Sequence, residues 1–195
     1  MSHYFKDDPS LPDDEKTIRC SLLGHDFIFK TNAGIFSYTQ IDRASQLLIE
    51  QITELSGSLL DLGCGYGVIG IALTKAYGLQ LTMSDVNPRA LAYAKHNAER
   101  NGTAAKIILS DCFENIGESF ETIALNPPIH AGKNISYRMY AESYEHLNPG
   151  GSLYVVIQKK HGAGSAANEL IKIFGACDLI YKKKGYYIYR CIKIK

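Results

Sequence analysis

From residue 58 onward, short apolar runs alternate regularly with segments of helical periodicity, and that alternation leaves few folds open. Residues 58–62, 80–83, 106–109, 122–125 and 153–157 read as strands. Residues 68–76, 88–100, 136–146 and 166–174 read as helices. Pro88 sits in the first turn of one helix and Asn101-Gly102 stops it. Asn148-Pro149-Gly150-Gly151 follows another. Strand and helix in alternation imply a parallel sheet with helices on both faces. Ligands of such sheets bind at the carboxyl ends of the strands, near the point where strand order reverses.

The two ends of the chain add antiparallel pieces. Residues 177–182 and 186–194, joined by a Lys-Lys-Gly turn, read as a closing hairpin, and residues 17–30, broken at Leu23-Gly24-His25, read as a hairpin at the start. Residues 42–55 place Leu47, Leu48, Ile52 and Leu55 at helical spacing, with Asp42 where an N-cap belongs. The expected architecture is α/β. It is a Rossmann-like, seven-stranded, mostly parallel sheet with helices on both faces, a C-terminal antiparallel hairpin and a small N-terminal β-hairpin extension. At 195 residues the chain fits one domain, expected over 17–195, with the polar, acidic residues 1–16 as a flexible arm.

The first of the alternating strands runs into Asp61-Leu62-Gly63-Cys64-Gly65-Tyr66-Gly67. Without a Cβ, glycine lets the backbone turn tightly and come close to a ligand. The spacing of Gly63, Gly65 and Gly67 is shorter than the loop that offers a helix N-terminus to a dinucleotide pyrophosphate. A carboxylate beside the loop suits a cation, such as the ammonium of S-adenosylmethionine, better than it suits a phosphate. Asp85 ends the next strand, about 20 residues on, where an acid accepts from ribose hydroxyls. Asp111 ends the third, placed to accept from an adenine amine with Cys112 beside the ring. Each aspartate alone could be a turn or helix cap; three at consecutive strand ends beside a glycine loop point to a cofactor site.

After the fourth strand comes Asn126-Pro127-Pro128-Ile129-His130. Paired prolines extend neither a helix nor a ladder, so this is a rigid turn. A planar amine held by the Asn126 side-chain oxygen and the Pro127 carbonyl would have both N–H groups engaged and its lone pair free to meet a methyl group. That is catalysis by positioning. It requires no strong general base, and His130 is expected to contact substrate rather than act as one.

Together these residues resemble the class I S-adenosylmethionine-dependent methyltransferases that act on amino nitrogens. Asn126-Pro127-Pro128-Ile129-His130-Ala131-Gly132-Lys133, and Gly34-Ile35-Phe36-Ser37 with Asp42 and Ser45, are similar to segments of the RsmC-type 16S ribosomal RNA guanine-N2 methyltransferases. The resemblance covers residues 17–195. It implies methyl transfer from S-adenosylmethionine, leaving S-adenosyl-L-homocysteine, to guanine N2 of 16S ribosomal RNA in the small subunit. It assigns Asp61, Gly63, Gly65, Gly67, Asp85, Asp111, Cys112 and Asn126 to the cofactor, with Asn126 and Pro127 as catalytic residues. Phe36, Pro128, Ile129, His130 and Lys133 fall to the substrate. Many relatives have an aromatic residue where this chain has Ile129, so Phe36 is expected to supply a wall for the base. Two other readings share these motifs: a protein glutamine-N5 methyltransferase, whose members usually have tyrosine at the Ile129 position, and a non-catalytic RNA-binding module.

Charge and cysteine usage narrow the setting. Net charge is +1, but from residue 159 onward bases far outnumber acids, which suits either phosphate contacts or lysines solvating an edge strand. Lys133, Lys159 and Lys160 fall on the active edge of the expected sheet. The five cysteines are scattered, without a C-x-x-C pair, and are expected to be reduced and packed as small apolar residues, with no metal site. No apolar run is long enough to span a bilayer and the start lacks the order of a secretory signal, so a cytoplasmic location is expected. Neither membrane nor DNA is an expected partner, and the sequence sets no oligomeric state.

Overall fold

The computed structural model describes residues 14–128 and 131–194. Most of the arm expected over 1–16, and Ile129 and His130, lie outside the described residues. The first strand, β1 (Glu15–Leu22), already begins at Glu15, where Lys30 pairs with the Glu15 carboxylate at 3.2 Å. It forms a two-stranded hairpin with β2 (His25–Asn32) through a turn at Leu23-Gly24, both with positive φ.

The helix α1 (Arg43–Gln51) follows, capped by Asp42, whose carboxylate accepts from the Ser45 backbone N–H. It stops at Ile52 rather than running to Leu55. The alternating region then unfolds as the periodicity indicates: β3 (Ser58–Leu62), α2 (Val68–Tyr77), β4 (Gln80–Asp85), α3 (Pro88–Arg100), β5 (Ala105–Leu109), β6 (Phe120–Leu125), α4 (Lys133–Glu145), β7 (Leu147–Gln158) and α5 (Ala163–Phe174). The closing hairpin is β8 (Asp178–Lys183) and β9 (Tyr186–Ile192). β7 is longer than its apolar run because pairing with β6 starts at Phe120–Leu147 and resumes at Thr122–Ser152; the Asn-Pro-Gly-Gly stretch is looped out between them.

The seven strands are ordered β5-β4-β3-β6-β7-β9-β8; β3 to β7 run parallel and β9 is antiparallel to both neighbours. The strand order reverses at β3, since β4 and β5 lie on one side and β6 on the other. That crevice is where a ligand belongs. Side chains alternate between faces with period two. Leu59, Ala124 and Val156 join the core under α1, α2 and α3, while Leu60, Leu62, Leu125 and Val155 join the core under α4 and α5. No helix among the described residues is long and apolar enough to cross a membrane.

The expectation of reduced cysteines fails for one pair. Register across the closing hairpin sets Asp178 opposite Arg190, which brings Cys177 opposite Cys191. Their Cα atoms are 4.3 Å apart and the sulfurs are bonded. Cys20, Cys64 and Cys112 are free. No cluster of potential metal ligands occurs among the described residues.

Candidate functional site

The glycine loop lies at the carboxyl end of β3, buried except at Gly63. Gly63, Gly65 and Gly67 have φ of 70°, 56° and 91°, so all three need the left-handed conformation that glycine adopts without cost. Asp85 ties this loop to the end of β4. Its two carboxylate oxygens accept the backbone N–H groups of Gly65 at 2.8 Å and Asn87 at 2.9 Å. Asp85 is therefore first a brace for the loop, and burial pushes its carboxyl above the usual range.

Asp61 points to the α2 face of the sheet. Its Oδ2 accepts the Gly70 backbone N–H at 2.8 Å, while Oδ1 is buried with no partner. Burial is the main reason its pKa rises to about 7; the Gly70 bond opposes the shift and the nearby Asp85 charge adds to it. Gly70 escaped the sequence reading. A Cβ there would meet Leu81 Cδ1 at 2.7 Å and Asp61 Cβ at 3.0 Å, so only glycine lets α2 come this close to β3 and β4.

Asp111, beyond β5, is exposed, and its Oδ1 takes Arg138 Nη1 at 3.1 Å. Arg138 also reaches Glu114 at 3.3 Å and Glu142 at 2.6 Å, and Glu142 accepts the Phe113 N–H at 3.1 Å. Arg138 and Glu142 thus staple the 111–114 loop to α4. Nothing local in sequence pairs an α4 arginine with acids more than twenty residues upstream. Cys112 is buried in the core with Leu60, Leu62 and Phe113, and that burial raises its thiol to about 12.

β3 and β6 pair with Leu62 opposite Leu125, so Gly63 and Asn126 leave adjacent strands side by side. Asn126 and Pro127 line a cavity of about 140 Å³ with Phe36, Asp42, Lys133 and Tyr140. A cavity of about 150 Å³ can hold a benzene ring, so this one suits a planar group of that order. Phe36 is 44% exposed and lines this cavity. The Asn126 amide nitrogen donates to Asp42 Oδ2 and to Ser45 Oγ, both at 2.9 Å. Pro128 closes the turn through its carbonyl, which accepts from Ala131. Tyr137, Gln158, His161 and Ser165 also line the cavity; sequence alone does not single them out, because they come from α4, the end of β7, the 3-10 turn after it and α5, which only packing unites.

Lys133 in the cavity lining, and Lys159 and Lys160 between the lining residues Gln158 and His161, are exposed and basic. Lys133 opens α4, and Lys159 and Lys160 form a short 3-10 turn after β7. The closing hairpin extends this rim, since Lys183 pairs with Tyr186, Tyr186 with Gln158, and the Lys159 N–H donates to the Gly185 carbonyl at 2.8 Å.

A family model described as the methyltransferase small domain matches residues 26–190. The uncharacterized protein YbxB of Bacillus subtilis is 41% identical over 198 residues, covering 98% of each chain. The ribosomal RNA small subunit methyltransferase C of Vibrio cholerae is 32% identical over 190 residues, covering 91% of this chain and 53% of that protein. Among solved structures, the 16S rRNA N2 G1207 methyltransferase RsmC of T. thermophilus, in complex with AdoMet and guanosine, matches with a TM-score of 0.82 at 24% identity. It covers 95% of this chain and 51% of that one, and it shows a shared fold. The chain thus spans about half the length of the ribosomal methyltransferases it matches.

Proposed function

The chain belongs to the methyltransferase small domain family, and from that premise we propose that it methylates the exocyclic N2 amine of a guanine in 16S ribosomal RNA, using S-adenosylmethionine, in the cytoplasm. The observation that carries this reading is the Asn126 amide, anchored by its nitrogen beside a cavity of about 140 Å³. Its oxygen and the Pro127 carbonyl are then the two acceptors for the two protons of a planar amine.

The residues present fit the cofactor. Asp61 Oδ1 is a buried acceptor without a partner, which an ammonium group would satisfy. Asp85 ends β4 and Asp111 lies two residues past the end of β5, where ribose hydroxyls and an adenine amine would meet them. S-adenosylmethionine supplies, when bound, a methyl group on a sulfonium and departs as S-adenosyl-L-homocysteine. Gly63 and Asn126 emerge side by side, so the residues for cofactor and acceptor share one crevice. Asn126 and Pro127 aim the acceptor lone pair, and the methylated nitrogen then releases a proton to water.

A nucleic acid acceptor is supported by the basic rim of Lys133, Lys159, Lys160, Lys183 and Lys184, which would lie along phosphates flanking a flipped base. Phe36 offers that base an aromatic wall. Guanine N2 in particular rests on the resemblance of residues 34–37 and 126–133 to the RsmC-type enzymes, one of which, with the same fold, is named as a 16S rRNA N2 G1207 methyltransferase.

A tritium-transfer assay should offer 30S particles, naked 16S ribosomal RNA and release factors in parallel, with mass mapping of any labelled RNA. Label on a guanine N2 supports the reading. Label on a release-factor glutamine overturns the acceptor assignment, and transfer to none of the three overturns all but the fold.

A further inference from the structure

Asp42 and Asn126 are 84 residues apart in sequence, yet Asp42 Oδ2 takes an Asn126 amide proton at 2.9 Å. The same oxygen caps α1, accepting the Ser45 backbone N–H at 2.9 Å, and also accepts the Ser45 hydroxyl at 3.3 Å. The Ser45 oxygen in turn accepts the second Asn126 amide proton at 2.9 Å. An ionised carboxylate only accepts, and the Ser45 hydroxyl has its own proton directed at Asp42. Both partners therefore demand the nitrogen end of the amide. Turned over, the amide would set its oxygen against a carboxylate oxygen and a hydroxyl lone pair. Oδ1, with no hydrogen-bond partner among the described residues, is left as the acceptor at the cavity.

We infer that Asp42 and Ser45 are positioning residues for methyl transfer, holding the Asn126 amide in the one orientation that presents its oxygen to the acceptor amine. This rests on the amine-methyltransferase reading above. A second consequence follows from charge. The carboxylate polarises the amide through its nitrogen, so Oδ1 meets the positive charge that builds on the acceptor nitrogen as the methyl arrives. The helix α1 contributes by geometry: its N-cap and third residue share one point in space, so one acid serves both the helix start and the amide.

Asp42→Ser keeps a side-chain oxygen for the cap but is too short to reach Asn126. Ser45→Ala removes the second acceptor. Each is expected to lower kcat by about tenfold to a hundredfold, with KM for 30S particles and cofactor affinity changed by less than about twofold. In an Asn126→Ala background the same substitutions should add less than about twofold. A loss confined to KM, or effects that multiply in full with Asn126→Ala, would overturn the assignment, because a structural defect behaves that way.

A second readout does not depend on turnover. In nuclear magnetic resonance spectra, the Asn126 side-chain amide protons should show contacts to the Ser45 β-protons and slow exchange with solvent, both lost in Asp42→Ser. Absence of these signs in the unaltered protein overturns the proposal, whatever the enzyme methylates. Their presence in a protein that methylates no guanine supports the positioning and instead removes the guanine reading.

Discussion

The side-chain amide of Asn97 on α3 donates to the Tyr66 carbonyl inside the glycine loop at 2.9 Å, a buried bond between groups 31 residues apart. The same amide also brackets Lys30 of β2, accepting its N–H at 2.7 Å and donating to its carbonyl at 2.8 Å. One turn later, Asn101 repeats the pattern on Ile28, at 3.1 and 3.0 Å. Two asparagines four apart on one helix face thus stand in for a neighbouring strand, because residues 28 and 30 present N–H and C=O to the same side. The hairpin edge is satisfied, and Asn97 links it to the glycine loop.

Asn97→Ala should therefore destabilise the fold by about 1–3 kcal/mol and also weaken cofactor binding. Asn101→Ala should cost similar stability with cofactor affinity largely retained, since it does not touch Tyr66. Denaturant melts and calorimetric titration of both variants test this. Equal effects of the two on affinity would disprove the link.

Burial of Asp61 gives a pH dependence with a definite sign. Its carboxyl rises from the ordinary 3.8 to about 7, so the folded protein binds a proton more readily than the unfolded chain. Stability from this group is greatest at low pH and falls as pH rises from about 4 to about 7. Cofactor affinity should run the opposite way, increasing through about pH 7 as the carboxylate becomes available to an ammonium. Asp61→Asn should be the more stable protein at pH 8 yet bind cofactor weakly and without that pH dependence. Affinity that keeps its pH profile in the variant would remove Asp61 from the cofactor site.

Gly70→Ala would gain helix propensity but drive its Cβ into Leu81 and Asp61. A net loss of about 1–3 kcal/mol is expected, read by thermal unfolding. A variant as stable as the parent would mean that α2 can lift from the sheet without penalty.

Asn126→Ala should lower kcat by about a hundredfold to a thousandfold, as loss of a preorganised polar contact does. Cofactor affinity by calorimetry should stay nearly intact. A variant that loses cofactor yet still turns over would reverse the assigned role.

Arg138→Met breaks the contacts to Asp111, Glu114 and Glu142. Partly exposed ion pairs are worth at most about 1 kcal/mol each, so the melting temperature should move little. Cofactor affinity should fall several-fold as the 111–114 loop loosens, and the unaltered protein should lose affinity in the same way at high salt. Unchanged affinity in the variant would show that α4 does not steady that loop.

Much of this is legible in the sequence. The glycine loop at 63–67, the Asp42 cap and the limits of α3 are encoded by residues adjacent in sequence. Two boundaries that extend past the apolar pattern share a cause: α4 begins three residues early, and β7 enters its pairing with β6 before the apolar run starts. Neighbouring elements recruited polar residues that periodicity alone would leave out. The disulfide went unseen for a similar reason, since the spacing of Cys177 and Cys191 means nothing until hairpin register sets them opposite each other.

By itself the sequence determined the alternation of strand and helix, the left-handed turns and the chemical types gathered at the strand ends. Steric preference and apolar periodicity act between near neighbours, so they can be read along the chain. Tertiary structure alone decided which polar atoms meet. Asp42 on Asn126, Asn97 on Tyr66 and Arg138 on Asp111 are each joined by sheet register and helix packing. A buried hydrogen bond takes whichever partner geometry delivers, and the sequence distance between the two leaves no trace in either residue's own neighbourhood.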